Sequence, residues 1–349
     1  GTLMQYRKLG RTGLKVSELC LGSDNFGNPF GATLETSFRI MDRALDFGVN
    51  FIDTADQYAN GNSETMIGEY LSSRKKRDDI VLASKFWTAT GPGPNDYGTS
   101  RYHLMNALDA SLKRLQTDHI DLYLIHAPDM TTPLAETLET LTDLRRAGKV
   151  RYIGVSNFPA WLLMEGLWTS DVKYLARFDC VQSGYNILRP GMARDVLKLC
   201  VDQGVGATAY SPMASGMLTG KHNRMSEIPD TDTKFGDRDA VRGGTLVRRY
   251  WNEAMFDVVD TLRDLAEKSG NSIMRLALQW VRESPGITSA IVGARREDHI
   301  EGIIDAWSED ASAEVMVEVR RIADDFAAKT PSDYPPPFAV PPLGGSGEA

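Results

Sequence analysis

Cysteine is scarce in this sequence, and its few occurrences are far apart. Cys20, Cys180 and Cys200 are the only cysteines among 349 residues. An odd number at such wide spacing does not suggest a disulfide framework. Cys20 and Cys180 lie in strand-like runs and Cys200 ends a helical one, so all three are expected to be buried free thiols. Free thiols are typical of a reducing compartment, which predicts a cytoplasmic protein.

Long apolar runs and an excess of basic residues are missing as well. No apolar segment approaches the length of about 18 residues that a membrane helix needs, and no signal-peptide pattern is present, so membrane insertion is not expected. The formal net charge is −8. A chain this acidic is not expected to bind nucleic acid broadly, because such binding usually needs a basic face.

Several signatures of enzyme chemistry are also absent. The five histidines show no paired metal-ligand spacing, so no metal site is predicted. The sequence contains neither the Gly-x-Ser-x-Gly elbow of serine hydrolases nor a Walker loop. Its nearest approach to the Gly-x-Gly-x-x-Gly dinucleotide fingerprint begins at Gly204, but this stretch precedes or forms a strand, whereas the Rossmann motif follows one. We interpret it as a turn into the seventh predicted strand.

What the sequence does contain is a regular alternation of strand-like and helix-like segments. Eight short runs are predicted as strands, and amphipathic stretches such as 36–47 and 101–115 lie between them. The predicted strands cover residues 19–22, 50–53, 80–85, 121–126, 150–155, 178–182, 205–210 and 288–292. A strand followed by a helix, eight times over, predicts an α/β fold of the (β/α)8 TIM-barrel type.

The segments around the predicted barrel have signatures of their own. A turn at Leu9–Gly13 separates two short extended runs and predicts an N-terminal β-hairpin that covers the bottom of the barrel. The connections 86–100 and 211–250 are too long for simple turns and are expected to be lids or substrate walls at the C-terminal face; partial disorder is the alternative for the second. The Pro- and Gly-rich tail 330–349 either packs across the barrel mouth or is free. Because one barrel commonly reaches this length, we predict a single domain over residues 1–349.

Ionisable side chains end three successive predicted strands. Asp53, Lys85 and His126 occupy these ends, and Tyr58 follows Asp53 by five residues in a loop. In a parallel barrel such ends converge on one face. Taken singly, each residue has an ordinary structural role, such as packing, solvation or an Asx turn. Taken together, they can lower the pKa of a phenol beside an ammonium and move a proton to or from a carbonyl oxygen.

In these residues and in further motifs the chain resembles the aldo-keto reductase family, with matches that extend over residues 4–305. Asp53, Tyr58, Lys85 and His126 match the family's catalytic tetrad in order. The further matches are Gly154–Phe158, Val181–Asn186, Ala209–Lys221 and Ile291–Arg295. Two short sequence segments, residues 98–101 and 118–123, are most similar to the aryl-alcohol-dehydrogenase-like branch of this family.

The resemblance implies a nicotinamide cofactor, NADPH or NADP, bound at the C-terminal face of the barrel. In the family, amide-bonding side chains hold the nicotinamide, a tyrosine stacks on its ring, a glycine-containing loop covers the pyrophosphate, and an arginine meets the 2′-phosphate. The cofactor-binding residues implied here are Ser156, Asn157, Gln182, Tyr210, Ser211, Pro212, Gly216, Leu218, Lys221, Gly293, Arg295 and His299.

The chain also departs from the family pattern at both ends of this implied site. His299 stands where the family usually has Gln, and Ile303 stands where it usually has Asn. Both positions normally touch the adenine, so adenine binding is expected to be weaker or differently arranged. Asp24 lies in a stretch that replaces a more common Thr-containing one, and it suggests a polar substrate.

The implied function is the reversible reduction of an aldehyde or ketone to an alcohol, with a small-molecule carbonyl compound as substrate. Tyr58 would be the general acid, Asp53 would hold Lys85 charged, and His126 would bond the carbonyl oxygen. The alternative is a regulatory or structural barrel that acts through a protein partner, as in potassium-channel β-subunit relatives. The sequence leaves open whether the substrate is an aryl aldehyde, a sugar or a polyketide ketone, and what the oligomeric state is.

Overall fold

Strands and helices alternate along the chain in the computed structural model, which describes residues 3–222, 246 and 249–330. The strands within this part of the chain are β1 (Tyr6–Lys8), β2 (Lys15–Ser17), β3 (Leu19–Gly22), β4 (Phe51–Asp53), β5 (Val81–Phe86), β6 (Ile120–Ile125), β7 (Val150–Ser156), β8 (Cys180–Gly184), β9 (Gly206–Tyr210) and β10 (Ser289–Gly293). The α-helices in the same ranges are α1 (Leu34–Asp46), α2 (Asn62–Arg74), α3 (Arg101–Leu115), α4 (Leu134–Arg146), α5 (Ala160–Lys173), α6 (Val196–Gln203), α7 (Glu253–Ser269), α8 (Ile273–Glu283), α9 (Glu297–Trp307) and α10 (Ala313–Lys329).

Eight parallel strands close into a barrel in the order β3 to β10. The closing pair is β10 with β3, in which Ile291 lies opposite Cys20 and Val292 opposite Leu21. All eight predicted strands are confirmed, with ends displaced by no more than two residues. The helix predicted at 101–115 is α3, and the one predicted at 36–47 is α1. The fold is therefore a (β/α)8 TIM barrel.

Both faces of the barrel strands are buried, which explains why they read as nearly continuous apolar runs. Inward-facing side chains such as Cys20, Phe51 and Leu124 form one cluster inside the barrel. Outward-facing neighbours such as Leu21 and Ile52 belong to a second, larger cluster between the strands and the helices. Each large apolar side chain that is fully buried contributes about 1.5–3 kcal/mol to folding.

The predicted N-terminal hairpin is confirmed, and it closes the bottom of the barrel. Strands β1 and β2 pair antiparallel, and Leu9 between them is fully buried among the inward-facing barrel residues. The Arg11 N–H donates to the Gly204 carbonyl over 2.8 Å. Gly10 is required beside this contact, because its φ is +56° and a Cβ there would lie 2.4 Å from the Gly204 oxygen.

Two further expectations, about the cysteines and about the glycine-rich stretch at Gly204, are met within the described ranges. Cys20, Cys180 and Cys200 are buried and free. Gly204, with φ +67°, caps the end of α6 and leads into β9, so the glycine-rich stretch is a turn into a strand. No helix in residues 3–222 and 249–330 is long and apolar enough to cross a membrane. The same ranges contain no group of three or more His, Cys, Asp or Glu side chains arranged to hold a metal ion.

The two long connections differ in how much of them the structure describes. The connection 86–100 is irregular, and Asp96 organises it by accepting a hydrogen bond from the Gly93 N–H over 2.9 Å. Of the connection 211–250, residues 223–245, 247 and 248 lie outside the described part of the chain, as does the tail from residue 331 onward.

Candidate active site

Adjacent strands bring the four tetrad residues together at the C-terminal end of the barrel. Asp53 ends β4, Lys85 lies near the end of β5, and His126 directly follows β6. Tyr58 begins a short 3-10 turn after β4. The strand-end argument made from the sequence therefore places these side chains correctly, because neighbouring parallel strands end at the same face.

Lys85 is the centre of the hydrogen-bond network. Its Nζ donates to Asp53 Oδ1 over 2.6 Å, to the Thr54 carbonyl over 2.9 Å and to the Tyr58 hydroxyl over 3.1 Å. These three bonds use all three ammonium protons. Burial opposes the charge on Lys85, but Asp53 and the Tyr58 oxygen outweigh it, so the pKa of Lys85 lies well above its usual range. The lysine is therefore charged although it is fully buried.

The phenol of Tyr58 does not have the lowered pKa that the sequence led us to expect. Burial raises the pKa of Tyr58 to about 12, the Lys85 ammonium acts in the lowering direction, and Asp53 and Asp24 raise the pKa further. The expected effect of Lys85 is present, but desolvation is larger. Tyr58 is consequently a neutral phenol near pH 7 and retains the proton that an acid catalyst must give.

His126 is held as a neutral imidazole. Burial, followed by the charge on Lys85, lowers its pKa to about 3. Its ring meets that of Tyr58 edge to face with 6.0 Å between centroids. Its carbonyl accepts a hydrogen bond from Asn157 Nδ2 over 3.1 Å, and its buried Nδ1 has no partner among the described residues. A neutral imidazole offers one N–H donor and one acceptor nitrogen.

A cavity of about 1140 Å³ opens beside these residues. Asp53, Tyr58 and His126 line it, whereas Lys85 lies behind them. The cavity is also lined by most of the residues implied for cofactor binding, namely Ser156, Asn157, Gln182, Tyr210, Ser211, Pro212, Gly216, Lys221, Gly293, Arg295 and His299.

Leu218 is the one implied cofactor residue that the structure does not bring to the cavity. Its side chain is fully buried in the core between barrel and helices. Its N–H donates to the Met213 carbonyl over 3.0 Å. The 3-10 turn at 214–219 directs the Leu218 side chain into the core, whereas Ser215, Gly216 and Thr219 line the cavity. A cofactor contact at Leu218 stays a prediction.

An amide cluster connects the tetrad with the far wall of the cavity. Gln182 Nε2 donates to Asp53 Oδ2 over 2.9 Å, which leaves the Gln182 carbonyl oxygen as an acceptor. Asn157 Oδ1 accepts from the Tyr210 hydroxyl over 2.7 Å, and Asn157 Nδ2 donates to the Ser156 hydroxyl over 3.2 Å. Asn157 has φ +61°, a conformation that asparagine tolerates better than most residues.

The segment after β9 presents its backbone to the cavity. Ser211, Ser215 and Gly216 all have positive φ, between 52° and 107°. Turns of this kind form concavities that favour anions, although the Ala214 and Gly216 N–H groups here donate to the Ser211 and Met213 carbonyls. At Gly216 a Cβ would lie 3.0 Å from Lys221 Cε, so the absence of a side chain allows the lysine to approach this segment.

Charged groups also line the cavity where α9 begins. Arg295 and Arg296 both line it. Arg296 donates from Nε and Nη2 to the two carboxylate oxygens of Asp298 over 3.0 and 3.2 Å. Burial lowers the pKa of His299. Ile303 also lines the cavity, so the two departures from the family pattern lie side by side on α9.

Other lining residues were not predicted from the sequence. Trp87, Met213, Arg249 and Met274 all line the cavity. Trp87 follows β5 directly, so its strand-end position is the signal that could have found it. Arg249 lies near the end of the connection 211–250 and Met274 lies on α8, and no local pattern distinguishes them. Asp24, noted for its unusual type, also lines the cavity.

Comparison with known proteins agrees with this architecture. A model of the Aldo/keto reductase family matches residues 18–324. An uncharacterized oxidoreductase of Bacillus subtilis, YrpG, is 36% identical to the chain over 95% of its length and 99% of the relative. A probable voltage-gated potassium channel subunit beta of Arabidopsis thaliana is 36% identical, over 85% of this chain and 89% of the relative. Norsolorinic acid reductase B of Dothistroma septosporum is 34% identical, over 95% and 85% respectively.

Proposed function

Because the chain belongs to the aldo/keto reductase family, we propose that it reduces an aldehyde or ketone to an alcohol with NADPH, using Tyr58 as the proton donor. The observation that carries this proposal is the bond from Lys85 Nζ to the Tyr58 hydroxyl. An ammonium can only donate, so Lys85 does not engage the phenol hydrogen. Because Tyr58 lines the cavity, that hydrogen is available to a substrate.

The proton step follows from the roles of the four residues. As negative charge develops on the carbonyl oxygen, Tyr58 donates its proton, and Lys85 lies against the oxygen of the resulting phenolate. Asp53 keeps Lys85 in place and charged, and neutral His126 donates a hydrogen bond to the same carbonyl oxygen. A positioned proton donor typically contributes about 10²–10⁴-fold to the rate. In the reverse direction the phenolate accepts the proton of the alcohol.

The residues on the cavity wall fit a nicotinamide cofactor. When bound, the reduced cofactor would supply the hydride. The Gln182 carbonyl oxygen and the Ser156 hydroxyl suit the amide of a carboxamide, because the Gln182 N–H groups are directed toward Asp53. Tyr210, fixed by its bond to Asn157, offers a ring face for stacking. The backbone at 211–216, together with Lys221, suits a pyrophosphate.

We propose NADPH over NADH because of the basic groups where α9 begins. Arg295 lines the cavity there, and a guanidinium matches a phosphate with paired donors. Arg296 donates from Nε and Nη2 to the carboxylate of Asp298. Arg295 stands at the position where the resemblance places the arginine for the 2′-phosphate, and it is the proposed contact, with His299 and Ile303 beside the adenine.

The substrate portion of the cavity is polar on one side. Asp24 is near enough to Tyr58 to raise its pKa, and Trp87 lines the same cavity. A carboxylate close to the reacting oxygen favours substrates with a hydroxyl or amino group near the carbonyl, because these groups donate hydrogen bonds. We therefore propose a polar carbonyl compound rather than a purely hydrocarbon one.

A panel of carbonyl compounds tests the proposal. Aryl aldehydes, sugars and polyketide ketones are each supplied with NADPH, and cofactor consumption is followed. We expect steady turnover with at least one class, and faster turnover with its hydroxylated members. Tight NADPH binding without turnover of any compound would favour the alternative, a barrel that acts through a protein partner. One relative is named as a probable channel subunit, so this outcome is informative.

A further inference from the structure

The loop that carries Tyr58 contains a second carboxyl group, Asp56, which the proposed reaction does not use. Its side chain is only 5% exposed. Neither of its carboxyl oxygens has a hydrogen-bond partner among the described residues. Asp53, three residues earlier, has the opposite surroundings, because it accepts hydrogen bonds from Lys85 and Gln182. A buried carboxyl group without a donor is rare in folded proteins and calls for a physical explanation.

Burial without a donor makes the ionised form of Asp56 unfavourable. A carboxylate loses its hydration when it is buried, and a group that gains no donor in exchange keeps its proton instead. Burial, followed by the charge of Glu64, raises the pKa of Asp56 to about 7, while Arg114 acts in the lowering direction. Asp56 is thus a carboxylic acid below neutral pH, with one O–H group to donate.

Glu64, on α2, is an acceptor suited to that proton. It is fully buried, and its Oε1 accepts from Ser111 and twice from Arg114 over 2.7–3.1 Å. Its Oε2 accepts from the Ser84 hydroxyl over 2.8 Å and has capacity for a second hydrogen bond. The ion pair with Arg114 keeps Glu64 charged. Of these two neighbouring carboxyl groups, Asp56 is therefore the one that holds the proton.

The other ionisable groups that face Asp56 do not supply the missing donor. Lys85, on β5, directs its three ammonium protons to Asp53, the Thr54 carbonyl and Tyr58. Arg114, on α3, is bound to Glu64. The hydroxyl of Tyr123, on β6, is buried and also has no partner among the described residues. Burial, followed by the charge of Asp56, holds the pKa of Tyr123 well above its usual range, so this phenol stays neutral.

The backbone connects this buried acid to the proton donor. The Asp56 N–H donates to the Lys85 carbonyl over 3.2 Å, and the Tyr58 N–H donates to the Ala55 carbonyl over 3.3 Å. The Tyr58 hydroxyl in turn accepts from the Lys85 ammonium over 3.1 Å. An ionised Asp56 has to move toward water or draw polar groups to itself. Either movement shifts Tyr58 relative to Lys85.

We propose that Asp56 is a positioning residue, which holds the loop 54–58 in the geometry for proton donation only as a neutral carboxylic acid that donates to Glu64. Above neutral pH the acid ionises, the loop shifts and carbonyl reduction slows. Asp56 does not line the cavity, so it acts through Tyr58 and not on the substrate. The effect on the rate rests on the proposed function, whereas the protonation of Asp56 does not.

Infrared difference spectroscopy tests the protonation and needs no substrate. The carbonyl stretch of a protonated carboxyl group is distinct from the bands of a carboxylate. We expect a protonated-carboxyl band that is missing in Asp56→Asn and that disappears from the unaltered chain as the pH is raised through about 7. If Asp56→Asn removes no such band below neutral pH, Asp56 is an ionised carboxylate and the proposal is overturned.

The pH dependence of kcat/KM tests the positioning role, with a carbonyl compound that the chain turns over. Between about pH 6 and about pH 8.5 we expect kcat/KM to fall by about tenfold or more, because an acid with a pKa near 7 is almost fully ionised at the upper value. Asp56→Asn should remove this fall, since the amide is neutral at every pH and still has an N–H donor for Glu64. A fall that persists in this variant, or its absence from the unaltered chain, would overturn the positioning role.

Asp179→Asn is the matched control. Asp179 is also a buried carboxyl group, 8% exposed, and burial raises its pKa to about 6. It directly precedes β8 at the bottom of the barrel, far from the loop 54–58, so its replacement should leave the fall in kcat/KM in place. Thermal melting shows whether both variants are folded. Asp56→Leu, which is neutral as well, replaces Asp56→Asn if that variant does not fold.

Hydrogen exchange separates failure of this inference from failure of the proposed function. The backbone amides of residues 54–58 are compared between the unaltered chain and Asp56→Asn at the same pH. We expect faster exchange in the unaltered chain at about pH 8.5 and equal exchange at about pH 6, because only ionisation loosens the loop. This result would support the positioning of the loop even if the chain turns over no carbonyl compound. Equal exchange at both pH values would overturn it.

Discussion

At the residue scale, the hydrogen bonds donated by Lys85 set the arrangement of the site. The ammonium donates one hydrogen bond to Asp53, one to the Thr54 carbonyl and one to the Tyr58 hydroxyl. The lysine thus binds the phenol oxygen without competing for the phenol hydrogen. Burial keeps Tyr58 protonated, with a pKa of about 12, so the arrangement suits donation of a proton better than storage of a phenolate.

Replacing Tyr58 by Phe removes the only proposed donor while keeping the ring. We expect carbonyl reduction to fall by about 10²–10⁴-fold, the usual contribution of a general acid, and NADPH binding to be nearly unchanged. Steady-state turnover and a fluorescence titration with NADPH measure the two effects separately. Turnover close to that of the unaltered chain would show that another group supplies the proton.

The neutral state of His126 predicts the pH dependence of the reaction. Because its pKa is lowered to about 3, the imidazole gains its proton only near pH 3, far below its ordinary value of about 6.5. The rate of reduction should therefore be flat from about pH 5 to pH 8 as far as this residue is concerned. A change in kcat/KM with an apparent pKa near 6.5 that disappears in His126→Gln would contradict the assignment of His126 as a neutral imidazole.

At the scale of elements, strand ends and one helix start supply the proposed site residues. Strands β4 and β5 and the residue after β6 supply the tetrad, because parallel strands end together. The turn after β9 and the start of α9 supply groups suited to anions. Residues from the strand ends and residues from the turn after β9 and the start of α9 line the same cavity.

The two adjacent arginines before α9 provide a matched pair of variants. Arg295→Ala should weaken NADPH binding by about 10- to 100-fold, the equivalent of one charge-assisted contact of about 1.5–3 kcal/mol. NADH binding should hardly change. Arg296→Ala should have the smaller effect, because its guanidinium is bound to Asp298. Titrations with NADPH and with NADH measure these affinities. Equal losses of NADPH affinity in the two variants would refute the assignment of the 2′-phosphate contact to Arg295 rather than Arg296.

The two ends of the barrel have different tasks at the scale of the whole molecule. The bottom is closed by the N-terminal hairpin, whose Leu9 packs inside the barrel. The top opens into the cavity that contains the tetrad. The candidate site and the hairpin that closes the barrel thus lie at opposite ends of the molecule, as is usual for barrels of this type.

Leu9→Ala tests this separation. Truncating a fully buried leucine typically costs about 2–5 kcal/mol of unfolding free energy through lost burial and a residual cavity. We expect a clear fall in denaturant resistance, with kcat/KM of the folded protein nearly unchanged. Urea unfolding and turnover at low temperature measure the two quantities. A large loss of activity in fully folded protein would mean that the bottom of the barrel influences the site.

Much of the fold and of the candidate site could be predicted from the sequence because its signals are local. Apolar runs and helical spacing identified all eight barrel strands, and the residues at their ends identified Asp53, Lys85 and His126. Once the strands are placed, parallel pairing leaves little freedom in where those side chains lie. Tyr58 could be found by its short distance from Asp53 along the chain.

Other features depend on contacts between distant segments, and only the tertiary structure decided them. The sequence indicated that Lys85 would lower the pKa of Tyr58, but the depth of burial, set by the whole barrel mouth, reverses the net shift. Leu218 was expected at the cofactor, and only the structure shows that the turn after β9 directs its side chain into the core. Periodicity and residue type act over a few positions, whereas desolvation and side-chain direction depend on everything that packs around a group. The sequence by itself therefore determined which residues meet, and the tertiary structure decided their protonation and orientation.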